Sequence, residues 1–446
     1  MHAKAGRDGR LGADGHAAAV AAGGMRAGQC SRRAVWVVDA LQLGGAERLA
    51  LRFHTAAARG WALELVALQP PRAGAARALW GAALAAVHSP VRELAMRRLT
   101  DLGEWRRLAR LLAPRPGERT LVHSHLHYAT VWAGWAARRH RLPHVVTVHV
   151  GRATEAPGRE CGWRARALGR LEQGARRRAA RVVYVNELQR DGWDRQARRE
   201  RAVVIPNGVE LSTEPREPAR RWLLERLGAP AEATVVTTVA VVRRQKGWQS
   251  WIEAAERVTA ARPGVWFVWV GAGPDFDRLR QQVAASGART RIVLAGARAD
   301  VGRWLAASDM FLFPSEAEAQ PTAVLEAMAA SLAVVATDLD ASRALLGGAG
   351  QLTAPGDAAA MAGAVLAWSG PERAAARQAA GEAGRRRAAT EYSETGWRER
   401  LLDLYEEVGD AWWGKRTGDG GAGSREGCTA ADPHGGDVRP RGAAAL

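Results

Sequence analysis

Cysteine is nearly absent. Cys30, Cys161 and Cys428 are the three in the chain; their spacing gives neither a metal-ligand set nor a disulfide framework. Lysine is as scarce: Lys4, Lys246 and Lys415 stand among 64 basic side chains, so arginine carries nearly all the fixed positive charge. No uncharged apolar run approaches the roughly 18 residues of a membrane-spanning helix. Residues 1–30 mix Ala and Gly with scattered Arg and Asp and lack the continuous apolar stretch of a secretory signal. The expected location is cytoplasmic. The 18 tryptophans are dispersed and do not interleave with basic residues as a nucleic-acid groove requires; no nucleic-acid partner is expected.

What is present is length and positive charge. At 446 residues the chain exceeds one average core, which predicts two domains. The formal net charge is +18. Arginine, alanine and glycine together suggest codons biased toward G and C, so part of this charge is compositional. It still favours anionic partners such as phosphosugars or acidic lipid headgroups.

From Arg33 onward, short apolar runs alternate with helical periodicity. Strands are predicted at Val35–Val38, Leu63–Leu68, Leu121–Ser124, Val145–His149, Val182–Val185 and Val203–Ile205, with helices at Ala46–Arg59, Asp101–Leu112, Val131–Arg139 and Arg164–Arg178. Pro206–Pro218 is rich in turn formers and reads as a linker. The alternation restarts at Val235–Val239 and continues through Trp266–Val270, Ile292–Leu294, Met310–Phe313 and Ala333–Thr337. Asp357–Ala389 is helical with a break near Pro371, and Thr395–Asp410 is a last helix. This order predicts an α/β fold of two parallel, doubly wound sheets. The expected division is a disordered extension at 1–31, a first domain at 32–205, a linker at 206–218, a second domain at 219–393, a helix at 394–413 and a disordered tail at 414–446.

The stretch Met310–Asp338 reads MFLFPSEAEAQPTAVLEAMAASLAVVATD. It predicts a buried strand, a loop, a helix over Pro321–Ser331 and a second buried strand, the crossover unit of a parallel sheet. Glu318 falls in the loop and Glu326, eight positions on, in the helix. A strand's C-terminal end that meets a helix N-terminus is where open sheets bind ligands and where free N–H groups attract phosphate. Carboxylate acceptors beside such an anion site suit a ligand with both phosphates and hydroxyls, as a sugar nucleotide has.

This stretch resembles the signature of the retaining family-four glycosyltransferases of GT-B fold, roughly Ser-x-x-Glu-Gly-x-Pro followed by Leu-Glu-Ala-Met-Ala-x-Gly-x-Pro-Val-Val-Ala-Thr. Ser315, Glu318, Pro321, Leu325, Glu326, Ala327, Met328, Ala329, Val334, Val335, Ala336 and Thr337 match it. Ala319, Ser331 and Ala333 stand where the family usually has Gly, Gly and Pro. The resemblance implies two Rossmann-like domains facing a cleft, an acceptor-side first domain, a nucleotide-sugar-binding second domain, and a last helix that crosses back to the first.

Other positions carry the same resemblance. Gly44, Gly45, Ala46 and Glu47 open the first helix, where glycines let a ligand approach the backbone; a plain tight turn is the alternative. Lys246 begins a helix, a place unfavourable to a cation unless an anion sits between. In the family an Arg lies five residues before this Lys; here that residue is Val241, and Arg243 or Arg244 is the substitute. His149 matches the histidine that touches the donor sugar, though a structural histidine would look the same. His123, His125 and His127 alternate but lack a nearby Cys or carboxylate in sequence, so a metal site is not expected. Gly271 and Gly273 resemble the family's Gly-x-Gly-Pro, and Gly296 with Arg298 the loop that receives the base. Asp338 and Asp340 have the look of a metal–diphosphate site, discounted because GT-B enzymes generally need no bound metal.

The resemblance therefore implies a hexosyltransferase using a nucleotide-sugar co-substrate, with retention of anomeric configuration and no metal or other cofactor. His149, Lys246 and Glu318 lie nearest the reaction. Gly44, Gly45, Arg243, Lys246, Gly271, Gly296, Arg298, Glu318, Ala319, Gln320 and Glu326 hold the donor. The acceptor is a glycan or a lipid-linked glycan. Arg164, Arg166, Arg170, Arg176, Arg177, Arg178 and Arg181, with Trp163, Leu168 and Leu171, offer an anionic membrane surface a basic helix. A catalytically impaired scaffold is the rival reading, motivated by Val241, Ala319, Ser331 and Ala333.

Overall fold

The computed structural model describes residues 31–41, 44–56, 58–70, 84–98, 101–149, 162–193 and 199–418. The expected terminal extensions fall almost wholly outside these, as do Cys30, Cys161 and Cys428.

The first domain runs β1 (Ser31–Ala40), α1 (Gly45–Phe53), β2 (Trp61–Gln69), β3 (Val91–Glu93), α2 (Leu102–Leu112), β4 (Glu118–His125), α3 (His127–Arg139), β5 (His144–Val148), α4 (Trp163–Arg178), β6 (Arg181–Tyr184), α5 (Glu187–Trp193) and β7 (Ala202–Val204). Among the described residues its seven strands are parallel, in the order β3-β2-β1-β4-β5-β6-β7. The second runs α6 (Arg216–Leu227), β8 (Thr234–Val239), α7 (Trp248–Ala261), β9 (Val265–Val270), α8 (Phe276–Ala285), β10 (Ile292–Gly296), α9 (Val301–Ala306), β11 (Met310–Phe313), α10 (Thr322–Ala329), β12 (Ala333–Thr337), α11 (Asp340–Leu346), β13 (Gly350–Thr353), α12 (Ala358–Ser369) and α13 (Ala374–Glu391). Its six strands are also parallel, in the order β10-β9-β8-β11-β12-β13. Helix α14 (Glu394–Gly418) follows.

Parallel strands covered by helices on both faces must be apolar throughout. Ala34–Val38 and Val265–Val270 obey this and are buried residue by residue. In each sheet the strand order reverses next to the first strand, between β1 and β4 and between β8 and β11. The C-terminal ends of these strands form the crevices where such sheets take ligands.

Two short edge strands, β3 and β13, escape the sequence reading. They span three and four residues and lack an apolar run, because an edge strand is half exposed. The linker is also shorter than expected: α6 begins at Arg216, so Arg216, Glu217 and Pro218 are helical. Proline in a first turn costs little, since those N–H groups have no intrahelical acceptor. The break near Pro371 is a short turn between α12 and α13.

Helix α14 returns to the first domain and completes its core. Trp397, Leu401, Leu402, Leu404, Tyr405 and Val408 pack with Trp36, Leu49, Phe53 and Trp61; burying one such large side chain contributes about 1.5–3 kcal/mol. The Tyr405 hydroxyl accepts from Trp36 Nε1 at 2.7 Å and meets His123 Nδ1 at 2.5 Å. Arg398 donates to the carbonyls of Phe53 and Arg52 at the C-terminus of α1, where the helix dipole favours a cation. The two chain crossings lie side by side, Val209 N donating to Tyr392 O at 2.8 Å and Glu394 N to Val209 O at 3.0 Å.

Candidate active site

The loops after β8 and β11 meet. Arg244–Lys246 forms one helical turn before α7, and Glu316 N donates to Gln245 O at 2.9 Å. Lys246 Nζ forms an ion pair with Glu318 Oε1, which also accepts from Ser315 Oγ at 2.9 Å. The side chains of Lys246 and Glu318 are 27% and 15% exposed. An incoming dianion would compete with the Glu318 carboxylate for this ammonium.

The second meeting point joins the domains. The N-terminal end of α1 abuts that of α10: a Cβ added to Gly45 would lie 2.3 Å from Thr322 Oγ1. Arg48 Nη1 crosses to Glu326 Oε1 at 3.3 Å. Gly45, Arg48, Leu49, Arg52, Gly208, Val209, Thr322 and Glu326 line a small cavity here. Two helix N-termini meet here, each an end that favours an anion, and Arg48 and Arg52 beside them are paired with Glu326 and Glu394. The loop before α10 is tied down on both sides. Asn186 Nδ2 donates to Ala319 O, and Gln320 Oε1 accepts from Asn207 N at 2.6 Å. Gln320 thus spends its carbonyl oxygen on the linker.

On the first-domain side, Asp39 ends β1 and accepts from Ala129 N at 2.6 Å. Burial pushes its carboxyl up to about 6, against that backbone hydrogen bond and the nearby His127 charge. Burial likewise raises Glu47 to about 7, with Arg243 of the opposite domain pulling it down. His127 Nδ1 sits 2.7 Å from Glu172 Oε2. Burial opposes its proton, but the Glu172 hydrogen bond and charge outweigh burial and leave its pKa raised. Leu126, between β4 and α3, has φ of +73°, an uncommon backbone for a branched residue, and it sets the turn from which His127 starts α3.

His149 Nε2 lies 2.8 Å from His125 Nδ1. His125 stacks on Trp36 at 4.1 Å, and His123 bridges Thr147 Oγ1 and Tyr405. Burial lowers His149 to about 4 and His123 and His125 well below their ordinary value. These rings are therefore neutral at pH 7, and they run from the cleft to the returning helix.

The remaining expected positions fall as follows. Arg243 and Arg244 are both exposed and Val242 is buried; Arg243 is the one whose charge acts on Glu47 of the first domain. Gly271 N donates to Gly296 O at 2.8 Å, pairing the two glycine loops with each other. Arg298 forms a two-pronged pair with Asp300 at 2.9 and 3.1 Å, which commits its guanidinium locally. Asp338 and Asp340 both pair with Arg343, at 2.7 and 2.9 Å.

The departures from the family signature have structural consequences. Ser331 adopts φ of +59°, the left-handed conformation that explains the family's usual glycine. Serine there costs about 1–2 kcal/mol of stability, at the turn before β12. Ala319 and Ala333 are buried without conflict, at 5% and 0% exposure. On α4, Arg176 is buried and paired with Glu172; Arg181, which opens β6, is paired with Glu407. Neither belongs to the exposed basic face. Leu168 is buried, whereas Trp163 is 70% exposed, beside Arg164, Arg166 and Arg170.

Sequence reasoning missed Arg48 and Asn186. A cation one turn into a helix that opens at a ligand cleft was the available signal for Arg48. For Asn186, which serves through a contact with the other domain, there was none.

Comparison with known proteins agrees with this geometry. Residues 43–213 match the family described as Glycosyltransferase Family 4, and residues 233–369 match Glycosyl transferases group 1. The alpha-maltose-1-phosphate synthase of Mycobacterium tuberculosis is 30% identical over 326 residues, covering 67% of this chain and 81% of that enzyme. The 2-deoxystreptamine N-acetyl-D-glucosaminyltransferase of Streptomyces fradiae is 32% identical over 234 residues, covering 49% of this chain and 55% of its own length. Anabaena HepE, crystallised with UDP-glucose, superposes with a TM-score of 0.71 at 20% identity over 84% of this chain and 99% of that one. The fold is GT-B. The chain belongs to the family-four, group 1 glycosyltransferases, and it is an enzyme of the hexosyltransferase type.

Proposed function

We propose that the protein transfers a sugar from a nucleotide-sugar to an acceptor hydroxyl with retention of anomeric configuration. One observation carries this reading: the Lys246–Glu318 pair stands where the loops after β8 and β11 meet, and the Arg48–Glu326 pair where the N-terminal ends of α1 and α10 meet. That arrangement supplies cations for a diphosphate and carboxylates for hydroxyls. Glu326 accepts hydrogen bonds from the ribose. Lys246 releases Glu318 and neutralises the departing diphosphate; removing one such stabilising donor typically costs 10²–10³ in rate. Glu318, freed, holds sugar hydroxyls, and His149 lines the sugar as a neutral ring. The C1–oxygen bond to the diphosphate breaks while the acceptor oxygen bonds C1 on the same face. The acceptor proton passes to the leaving phosphate oxygen.

The acceptor is a glycan or a lipid-linked glycan bound against the first domain, in polysaccharide or glycolipid synthesis. Exposed Trp163 and Leu171, on the same helix as exposed Arg164, Arg166 and Arg170, support reversible attachment to an anionic membrane. Thermal-shift screening of UDP-, GDP- and ADP-sugars, followed by measurement of donor hydrolysis, tests the assignment. One donor class should stabilise the protein and be hydrolysed slowly, and Glu318→Gln should abolish the hydrolysis. A protein that binds a donor without hydrolysing or transferring it would be the impaired scaffold.

A further inference from the structure

Arg48 closes the first turn of α1, its N–H donating to Gly44 O at 3.2 Å. A cation there opposes the helix dipole, so its position needs another cause. The side chain leaves its own domain and ends 3.3 Å from Glu326 Oε1 on α10. Both groups are largely covered, at 25% and 15% exposure. The residues around Arg48 on this face of α1 are fixed: Leu49 is buried, and Arg52 pairs with Glu394 at the start of α14 at 3.5 Å. The near contact of Gly45 with Thr322 shows that Arg48 reaches Glu326 when the two helix ends are together.

We propose that Arg48 is a positioning residue for the ribose of the donor. It holds one carboxylate oxygen of Glu326 and turns the other toward the ribose hydroxyls, so a residue of the acceptor-side domain completes the donor site. This rests on the reading that Glu326 takes the ribose. Each carboxylate oxygen has two lone pairs, so the oxygen that accepts from Arg48 at 3.3 Å can also accept a second hydrogen bond. Without Arg48 the glutamate side chain regains its rotamers and must be ordered by the ligand itself.

The test is calorimetry of the full chain with UDP, GDP and ADP, then with the 2′-deoxy counterpart of whichever binds most tightly. The parent should prefer the ribonucleotide by about tenfold, the lower end of what one charged hydrogen bond is worth. Arg48→Ala should bind the ribonucleotide about tenfold more weakly, and its preference over the 2′-deoxy form should fall toward unity. Arg48→Lys, which keeps a single charged donor, should restore part of that preference. If the parent discriminates and Arg48→Ala discriminates equally, the Arg48 role is overturned and the Glu326 reading stands. If the parent ignores the 2′-hydroxyl, the ribose reading falls and takes this role with it. A lowered melting temperature with an unchanged ribose preference would make Arg48 structural and also overturn the proposal.

Discussion

Gly247→Ala should separate the two loops that hold Lys246 and Glu318. Gly247 has φ of +65° and ψ of 31°, and a Cβ there would lie 1.9 Å from the Pro314 carbonyl oxygen. The obstructing atom is backbone, so no rotamer change relieves it. The left-handed conformation costs an alanine about 1–2 kcal/mol, and forced overpacking about 1–3 kcal/mol more, together about 2–5 kcal/mol. At about 2–4 °C per kcal/mol for a domain of this size, melting should fall by roughly 4–20 °C. Relief requires the Pro314–Glu318 loop to move by an ångström or more, and a misplacement of about 1 Å at a reacting centre costs roughly 10²-fold in rate. Gly228→Ala is the control. Gly228 has φ of +62° with nothing within 4 Å of its Cβ position, so it carries the conformational cost alone. Thermal unfolding by circular dichroism and donor hydrolysis should rank the parent above Gly228→Ala in stability and Gly247→Ala below both. Equal melting of the two variants, with parental activity in Gly247→Ala, would refute the steric reasoning.

Lys246→Ala should weaken nucleoside-diphosphate binding by about 1.5–3 kcal/mol, the worth of a charged hydrogen bond; unchanged affinity by calorimetry would remove Lys246 from the phosphate site. His54, His144 and His149 are each held near 4 by burial. Their folded pKa values lie below the unfolded one, so their contribution to stability is full above pH 6.5 and is lost as pH falls toward 4, by about 1.4 kcal/mol per unit for each ring. Asp39 and Glu47, raised to about 6 and 7, act in the opposite sense and gain stability as pH falls through those values. Residue-resolved NMR separates the two effects: the three rings should not titrate between pH 8 and 5, and any ring titrating near 6.5 is not buried as described. Trp163→Ser with Arg166→Ser and Arg170→Ser should cut sedimentation with anionic vesicles roughly tenfold or more, at about 1 kcal/mol per basic residue. Sedimentation equal to the parent's would exclude this face as the membrane contact.

Much of the architecture was legible because it repeats. Apolar runs such as Val235–Val239 and Ala333–Thr337 can be buried on both faces only as parallel strands, and the helical stretches between them fix the crossovers. Local chemistry also marked the signature loop, since Glu318 and Glu326 follow a buried strand at the start of a helix. Weak or compensated signals failed. β13 lacks an apolar run, and the prolines around Arg216 belong to a linker and to a helix's first turn alike.

Side-chain partnership depends on which loops meet, and the sequence carries no local record of that. Arg48 and Glu326 lie 278 positions apart, Asn186 and Ala319 133 apart, and Trp36 and Tyr405 369 apart. The sequence by itself determined two sheets, the crevice ends of their strands and the charged residues placed there. The tertiary structure alone decided that Lys246 faces Glu318, that Arg48 reaches across to Glu326, that Arg176 turns inward to Glu172 instead of outward, and that half-buried His149 meets His125 in a row of neutral rings. The reason is physical: periodicity records burial along one element, whereas an ion pair or a pKa shift is set by the field of groups that only folding brings within a few ångströms.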